Sequence, residues 1–190
     1  MTTRITQTRT VHAGWTTLMI ATLQDGRGQT FEREIEDHGR AAAVLPYDPA
    51  RRTVSLVRVV RAPVLFKDKA NPTGELWEAP AGMMDEDDPA ETVRREAMEE
   101  AGLRLGALEA VATVWSSPGV CAERVALFLA PYAESDRVAK GGGLDEEHEG
   151  ITVVEMPIAE LWRLVEAGEV TDLKTFALAQ ALRIRHPELF

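Results

Sequence analysis

The feature that most constrains this chain is an acidic helix, predicted over residues 88–102. Asp88 is a suitable N-cap, Pro89 suits the first helical position, and Gly102 is the residue type expected just after the last turn. Three glutamates stand at positions i, i+3 and i+4 of this helix and therefore share one face: Glu96, Glu99 and Glu100. A fold that contains this helix must accommodate three carboxylates close together.

Clustered carboxylates are unfavourable in an isolated helix. Each like-charged pair at this spacing costs about 0.2–0.5 kcal/mol, and the negative end of the helix dipole adds to that cost. A hard divalent cation such as Mg2+ prefers carboxylate oxygens and would reverse both effects. Arg95 can also hold Glu99 from four residues away. The alternative interpretation is a solvated acidic face, which is what charge runs usually indicate.

Composition restricts the class of protein. The chain has 190 residues, 45% of them apolar, which is enough for one buried core. It has neither an apolar run of membrane-span length nor an apolar signal core at the N-terminus. The single cysteine, Cys121, excludes an intrachain disulfide and fits a reducing cytosol. We therefore expect a cytoplasmic enzyme in which Cys121 is a packed or loop residue.

The net charge restricts the binding partners. A formal charge of −10 argues against nucleic acid and against an acidic membrane surface as partners. An anionic substrate would need local positive charge, either from bound cations or from placed Arg and Lys side chains.

The order of predicted elements indicates a mixed α/β fold. Residues 15–23 and 29–35 are predicted to be strands joined by a turn at residues 25–28. A polar loop is predicted at residues 62–74, and amphipathic helices are predicted at residues 158–167 and 174–185. Further predicted strands surround the acidic helix, at residues 41–47, 53–60, 75–79, 107–114, 124–133 and 151–156. We expect residues 1–38 to form a small β extension and residues 39–190 to form the main domain.

Residues 82–103 resemble the Nudix box. The family pattern is Gly, five residues, Glu, seven residues, then Arg-Glu-apolar-x-Glu-Glu-x-Gly-apolar, and its right half matches residues 95–103. The left half is one residue short, because Gly82 stands one position closer to Arg95 than the pattern requires. Asp87 or Asp88 takes the place of the family Glu. The resemblance implies a Nudix α/β/α sandwich with a mixed sheet, preceded here by the N-terminal β extension.

Other motifs are similar to particular branches of that family. Residues 75–82, Glu-Leu-Trp-Glu-Ala-Pro-Ala-Gly, and Ser117-Pro118-Gly119 followed by Glu123 resemble the ADP-ribose pyrophosphatase branch. The shortened box, the glycines at 141–143 and residues 172–175 look like the GDP-mannose pyrophosphatase subgroup. Members of that subgroup cleave nucleoside diphosphate sugars with Mg2+. They are homodimers that exchange N-terminal strands, so the resemblance implies a homodimer here.

The resemblance also implies roles for individual residues. The metal ligands would be the carboxylates of Glu96, Glu99 and Glu100, together with the carbonyl oxygen of Ala81. Mg2+ is the expected ion and Mn2+ is a possible substitute. Glu99 also counts among the catalytic residues. A metal-bound carboxylate is a poor base, so the general base is expected on the acidic loop at residues 145–149. Glu147 and Glu149 are the two candidates, each either as the base or as an extra metal ligand; a solvated loop is the alternative.

Positive charge for the substrate phosphates is expected from four side chains. Arg58 and Arg61 resemble the Arg-x-x-Arg strand of the branch, and Lys174 resembles the helix-start lysine of the subgroup. Arg33 would lie near the base-binding side if the N-terminal sheet is exchanged. An arginine fork suits a pair of phosphate oxygens, whereas lysine acts as a point charge. Each of these could instead be an ordinary surface cation.

Three functional hypotheses follow. The first is a Mg2+-dependent nucleoside diphosphate sugar pyrophosphatase that prefers GDP-mannose, and the second is an ADP-ribose pyrophosphatase with the same box residues. The third is a nucleotide-sensing module without catalysis, which the intact Glu96, Glu99 and Glu100 disfavour. The residue missing after Gly82 favours the first hypothesis, because it is a mark of the subgroup.

Overall fold

The contacts within the chain define two compact units. The computed structural model describes residues 2–84, 88–144 and 150–190. The first unit comprises Met1–Arg40 together with Val114–Val125, and the second comprises Ala41–Thr113 together with Ala126–Phe190.

The first unit contains a three-stranded antiparallel sheet in the order β1-β2-β3, as far as the chain is described. Its strands are β1 (Arg4–Ala13), β2 (Thr17–Gln24) and β3 (Thr30–Asp37). The predicted hairpin of β2 and β3 is present, and the Asp25 carboxylate stabilises its turn by accepting from the N–H groups of Arg27 and Gln29. The N-terminal β extension is thereby confirmed. Strand β1 was not predicted as a strand, because its ten residues are all exposed and show no apolar periodicity.

The larger sheet has seven strands in the described part of the chain, with the main order β10-β5-β4-β9-β8. Strand β6 pairs with β5, and β7 pairs with β4. The strands are β4 (Arg40–Asp48), β5 (Thr53–Val60), β6 (Glu75–Glu78), β7 (Ala81–Met83), β8 (Glu109–Trp115), β9 (Arg124–Pro131) and β10 (Thr152–Pro157). Strands β4 and β5 are antiparallel. Tyr132, just after β9, donates its N–H to the carbonyl of Tyr47, near the end of β4, at 2.9 Å, so β4 and β9 end at the same edge of the sheet. The predicted mixed sheet is confirmed.

The described helices are α1 (Ala62–Lys67), α2 (Pro89–Ala101), α3 (Ile158–Glu166) and α4 (Leu173–Arg185). Helix α2 is the predicted acidic helix, and α3 and α4 match their predicted bounds to within one residue. The prediction of a loop throughout residues 62–74 was wrong, because a short helix with an early proline begins that segment. Among the described residues, no helix combines the length and apolar character that a membrane crossing requires.

The core explains how α2 is held. Strand β4 is buried at every position after its first residue, so both of its faces are covered. On one face, Val93, Ala97 and Ala101 of α2 pack in a cluster with Ala42, Val44, Leu103, Ala126, Phe128 and Ala130. The small side chains of α2 bring its backbone close to the sheet. The acidic residues of α2 are therefore carried on a helix that is fixed by packing.

Candidate active site

Helix α2 begins and ends where the sequence predicts. The Asp88 carboxylate caps the first turn by accepting from the Ala90 N–H, 2.8 Å. Gly102 ends the helix in the left-handed conformation with φ of 68°, which glycine adopts without a steric penalty. Of the two acids considered for the left half of the box, Asp88 is thus engaged in capping, and Asp87 lies outside the described residues.

Two of the three clustered glutamates of α2 are buried beside strand β7. The exposed fractions of Glu96 and Glu100 are 8% and 5%. The Glu100 carboxylate accepts from the Ala81 N–H, 3.1 Å. Gly82 lies against Glu96 so closely that an added Cβ would stand 1.9 Å from Oε1 of Glu96. Only glycine therefore allows the Glu96 carboxylate to occupy this position.

Arg95 holds the third of these glutamates, Glu99, in place. Its guanidinium donates to Glu99, 3.0 Å, and lies 2.7 Å from Oε1 of Glu96. It also donates to the Met83 carbonyl, 3.2 Å. The predicted Arg95–Glu99 contact is confirmed. One cation thus links two carboxylates of α2 to strand β7, and the like-charge repulsion within the helix is reduced.

The C-terminal end of α2 is enclosed by residues 137–143. The N–H groups of Gly142 and Gly143 donate to the carbonyls of Glu100 and Glu99, at 2.8 and 3.1 Å. An added Cβ at Gly141, where φ is 69°, would lie 2.4 Å from the Glu100 carbonyl oxygen. Sequence reasoning placed these glycines only in a subgroup motif; in the structure, Gly142 and Gly143 satisfy helix carbonyls that would otherwise lack partners. Residues 145–149, with both Glu147 and Glu149, lie outside the described residues.

Arg137 completes this enclosure. Its guanidinium donates to the Ala101 carbonyl, 2.8 Å, and to Glu155 of β10, 3.2 Å. Glu155 also accepts from Arg51 and from the Tyr132 hydroxyl. Burial raises the pKa of Glu155, but the hydrogen bonds from Arg51, Tyr132 and Arg137 outweigh it and lower the pKa. The end of α2 is therefore tied to β10 through an ionised network.

Two predicted phosphate-binding cations meet at one buried carboxylate, Glu78, which is 2% exposed. Arg61, next to the end of β5, donates to both Glu78 oxygens from Nε and Nη2, each 2.8 Å. Lys174 forms an ion pair with the same carboxylate. Burial raises the pKa of Glu78, but Arg61 and Lys174 outweigh it and lower the pKa to about 2.

This cluster lies within electrostatic reach of α2. The hydrogen bonds with Glu78 raise the pKa of Arg61, and the charges of Glu100 and Asp172 raise it further. Arg61 therefore feels the charge of Glu100 of α2 as well as that of its direct partner Glu78.

The start of α4 holds Lys174 in place. The Asp172 carboxylate accepts from the N–H and the hydroxyl of Thr175, at 2.9 and 2.6 Å, and from Lys174, 3.0 Å. The Thr175 hydroxyl in turn accepts from the Ala79 N–H, 2.7 Å. Residues 172–175 thus fasten the N-terminus of α4 to the chain that leads into Ala81 and Gly82.

The other two predicted substrate-binding residues have local partners. Arg58 pairs with Glu75, and its guanidinium lies over the Trp77 ring, 5.2 Å from the centroid. Arg33 belongs to the first unit, where its guanidinium lies over the Phe31 ring and donates to the Glu32 carbonyl.

Glu78 is one residue of this site that sequence reasoning missed. It was counted only as part of a motif, although the structure makes it the common partner of Arg61 and Lys174. A usable signal was present, because Glu78 follows Leu76 and Trp77 in a short strand and precedes Ala79. An acid within such an apolar segment is expected to be buried, and a buried carboxylate needs a cationic partner.

The donor set of α2 suits a hard divalent cation. Glu96, Glu99 and Glu100 present carboxylate oxygens, which Mg2+ and Mn2+ prefer over softer ligands. Gly82 leaves open the space that the Glu96 carboxylate occupies, because a side chain at residue 82 would fill that space.

A mixed α/β fold with this carboxylate cluster, and with two cations held by the buried Glu78, is suited to phosphate chemistry. The NUDIX domain pattern matches residues 37–179. The chain belongs to the NUDIX family and is a Nudix pyrophosphohydrolase.

Similar proteins support this assignment. A GDP-mannose pyrophosphatase of Cronobacter sakazakii (strain ATCC BAA-894) is 40% identical over 164 residues, which are 86% of this chain and 84% of that protein. A GDP-mannose pyrophosphatase of Escherichia coli O1:K1 / APEC is 34% identical over 165 residues, 87% of this chain and 84% of that protein. A solved structure of an ADP compounds hydrolase shares the fold, with a TM-score of 0.71 over 98% of this chain and 97% of that chain at 18% identity.

Proposed function

We propose that this protein hydrolyses the pyrophosphate bond of a nucleoside diphosphate sugar of the GDP-mannose type. The products are a nucleoside monophosphate and a sugar 1-phosphate. The observation that carries the proposal is the buried pair Glu96 and Glu100, which lies beside Ala81 and Gly82 on a helix within reach of Arg61. The two GDP-mannose pyrophosphatases that are 40% and 34% identical support the choice of substrate.

The carboxylates of α2 are the proposed binding site for Mg2+, with Mn2+ as a substitute. Glu96, Glu99 and Glu100 provide the ligands, and the Ala81 carbonyl is proposed as an additional oxygen ligand. A divalent cation at this position supplies charge neutralisation at the pyrophosphate and polarises its oxygens. Arg95 keeps Glu99 oriented, and the Ala81 N–H keeps Glu100 oriented.

Arg61 and Lys174 are proposed to contact the substrate phosphates. Because the buried Glu78 holds both of them, little side-chain entropy is lost when phosphate binds. Lys174 also pairs with Asp172, so two carboxylates balance the two cations, and the proposed contact with phosphate rests on the positioned N–H donors of Arg61 and Lys174. Arg58 and Arg33 are proposed as further substrate contacts, and each would have to leave its present partner to reach a phosphate.

The acidic loop is the proposed source of the general base, Glu147 or Glu149. Gly143 donates to the Glu99 carbonyl and so anchors the start of this loop at the C-terminal end of α2. An extended chain spans at most about 3.6 Å per residue, so four residues beyond Gly143 can cover about 14 Å. A carboxylate on this loop would thus have enough chain to reach the proposed metal ligands.

A substrate panel tests the proposed reaction. Phosphate release in a coupled phosphatase assay would be compared for GDP-mannose, other nucleotide sugars and ADP-ribose, with Mg2+ or Mn2+. We expect GDP-mannose to be turned over fastest. Equal turnover of ADP-ribose would overturn the GDP-mannose preference, and no hydrolysis of any substrate would favour a nucleotide sensor.

Replacing one metal ligand tests the site. Glu100→Gln keeps an oxygen that can accept from the Ala81 N–H, so the fold should persist, while kcat should fall on the order of 100-fold or more. Glu91→Gln is the matched control, because Glu91 lies on the same helix and pairs with the exposed Arg94. If Glu100→Gln keeps its activity within a few-fold of wild type, the metal ligands are misassigned.

We also propose that the protein is a cytoplasmic homodimer. Strand β1 is exposed along its length and presents Ile5 and Val11 to solvent, at 53% and 44% exposure. An open edge strand with exposed apolar side chains favours pairing with a second copy. The formal charge of −10 makes nucleic acid and acidic membranes unsuitable partners. Light scattering on the intact chain, compared with a variant lacking residues 1–13, tests the dimer.

A further inference from the structure

Three different metal-ligating side chains meet in the first unit. Glu36 lies near the end of β3, His38 follows that strand, and Cys121 lies in the segment between β8 and β9. One ligand atom from each residue lies within 4.8 Å of the other two. Thiol, imidazole and carboxylate are together the ligand types of zinc and related transition metals, and they differ from the carboxylates of α2.

The backbone holds these side chains together. The Glu36 N–H donates to the Val120 carbonyl, 2.9 Å, and the Ala122 N–H donates to the Glu36 carbonyl, 2.8 Å. This bridge places Cys121 directly beside Glu36. As a result, Sγ of Cys121 lies 2.7 Å from Oε2 of Glu36, and Nδ1 of His38 lies 2.6 Å from Oε1.

The histidine is oriented for metal binding through Nδ1. Its other ring nitrogen, Nε2, lies 3.3 Å from the Glu123 carboxylate. The Trp15 ring stacks on the imidazole with a centroid distance of 5.0 Å. Metal-binding histidines generally donate their second N–H to a carboxylate, which fixes the tautomer and the ring orientation. Glu123 occupies that outer position here and leaves Nδ1 directed at the other two ligand atoms.

We propose that Glu36, His38 and Cys121 bind a divalent transition metal, with Zn2+ as the ion that best suits this ligand set. Glu123 orients His38 and is not itself a ligand. Three protein ligands leave a fourth tetrahedral position for water or an exogenous ligand. All three residues are partly exposed, so an ion can reach the site. The site would fasten the segment 116–123 to the end of β3.

The alternative is a cluster held by hydrogen bonds alone. Burial raises the pKa of Glu36, but hydrogen bonds from Cys121, Thr16 and His38 outweigh it and lower the pKa to about 2. Burial lowers the pKa of His38, but Glu36 and Glu123 outweigh it and raise the pKa. Burial and Glu36 both raise the pKa of the Cys121 thiol. These hydrogen bonds can hold the cluster together without an ion, so metal titration has to separate the two interpretations.

Metal titration of the intact protein tests the proposal. The protein would be stripped with a chelator, supplied with excess Mg2+ to occupy hard oxygen sites, and titrated with Zn2+ or Co2+. We expect one retained zinc per chain, and with Co2+ a thiolate-to-metal charge-transfer absorption band. Cys121→Ser and His38→Gln should each abolish the band, and Glu123→Gln should weaken zinc binding about 10–100-fold.

Two control variants separate metal ligands from hydrogen-bond donors. Thr16→Val removes a hydrogen bond to Glu36 but no ligand, so it should keep the zinc. Glu99→Gln alters the carboxylates of α2 and should also keep it. Absence of the charge-transfer band in wild type, or zinc binding unchanged by Cys121→Ser and His38→Gln, would overturn the proposal.

A measurement on the wild-type protein covers the case in which a variant does not fold. Cys121 is the single cysteine of the chain, so the reaction of a chromogenic disulfide reagent reports on this thiol alone. Zn2+ should slow that reaction at least about tenfold, because a coordinated thiolate is not free to attack, and Mg2+ should not. Equal rates with and without Zn2+ would contradict coordination by Cys121.

Discussion

The buried Glu78 provides the sharpest test of how the site is held together. Glu78→Gln keeps the size of the side chain and removes its charge, so Arg61 and Lys174 lose their common anionic partner. Because the two cations then face each other without that anion, we expect the folded state to be destabilised and the cations to lose their fixed positions.

The magnitude follows from the pKa of Glu78. Folding lowers that pKa from 4.5 to about 2, which corresponds to about 3 kcal/mol of stability at pH 7. The group is ionised more readily in the folded state, so this stability is present above the unfolded pKa and is lost as the pH falls towards 2. At pH 3 the remaining contribution is about 1 kcal/mol. Glu78→Gln should therefore cost about 3 kcal/mol at pH 7 and much less at pH 3.

Urea unfolding of wild type and Glu78→Gln, followed by circular dichroism at several pH values between 3 and 7, measures this difference. Glu160→Gln is the control, because Glu160 pairs with Arg163 on the exposed face of α3 and is screened by solvent. The control should follow wild type at every pH. A cost of Glu78→Gln that is the same at pH 7 and at pH 3 would refute the reasoning, because the lost stability would then not come from the ionised carboxylate.

Further predictions concern the segment that encloses the end of α2. Gly141→Ala should destabilise the protein by about 1–3 kcal/mol and lower activity, because the added Cβ would clash with the Glu100 carbonyl at a residue of positive φ. Thermal denaturation measures the effect, and Gly106→Ala is the control, because a Cβ at that position meets open space. Arg137→Met should lower the unfolding free energy by about 1–3 kcal/mol, because the Ala101 carbonyl and Glu155 lose a charged donor. An unchanged Tm for either variant would contradict the proposed role of the segment.

Sequence reasoning succeeded where the cause is local. The capping of α2 by Asp88 and Gly102, and the contact of Arg95 with Glu99, depend on residues no more than five positions apart. The bounds of α3 and α4 followed from apolar periodicity in the same way. Strand β1 could not be found by that method, because all ten of its residues are exposed and its pairing partner β2 supplies the reason for its conformation.

The parts of the candidate site that sequence reasoning missed depend on distant residues. Glu78 meets Lys174 across 96 positions, and Arg137 meets the Ala101 carbonyl across 36. Motif resemblance placed Lys174 among the substrate-binding candidates, but it offered no partner that would hold the side chain. Cys121 was expected to be a packed or loop residue, and its contact with Glu36, which spans 85 positions, was not foreseen.

The structure also explains how a helix with three neighbouring carboxylates can be stable. Arg95 and the Ala81 N–H offset the negative charge of the side chains, while Arg137 and the glycine N–H groups offset the negative end of the helix. Glu99 and Glu100 take part in both arrangements, because their carboxylates face the proposed metal site and their carbonyls bind Gly143 and Gly142. The same two residues therefore set the position of the proposed metal ligands and the starting point of the acidic loop. A displacement of α2 would move the proposed metal ligands together with Gly143, where the acidic loop starts.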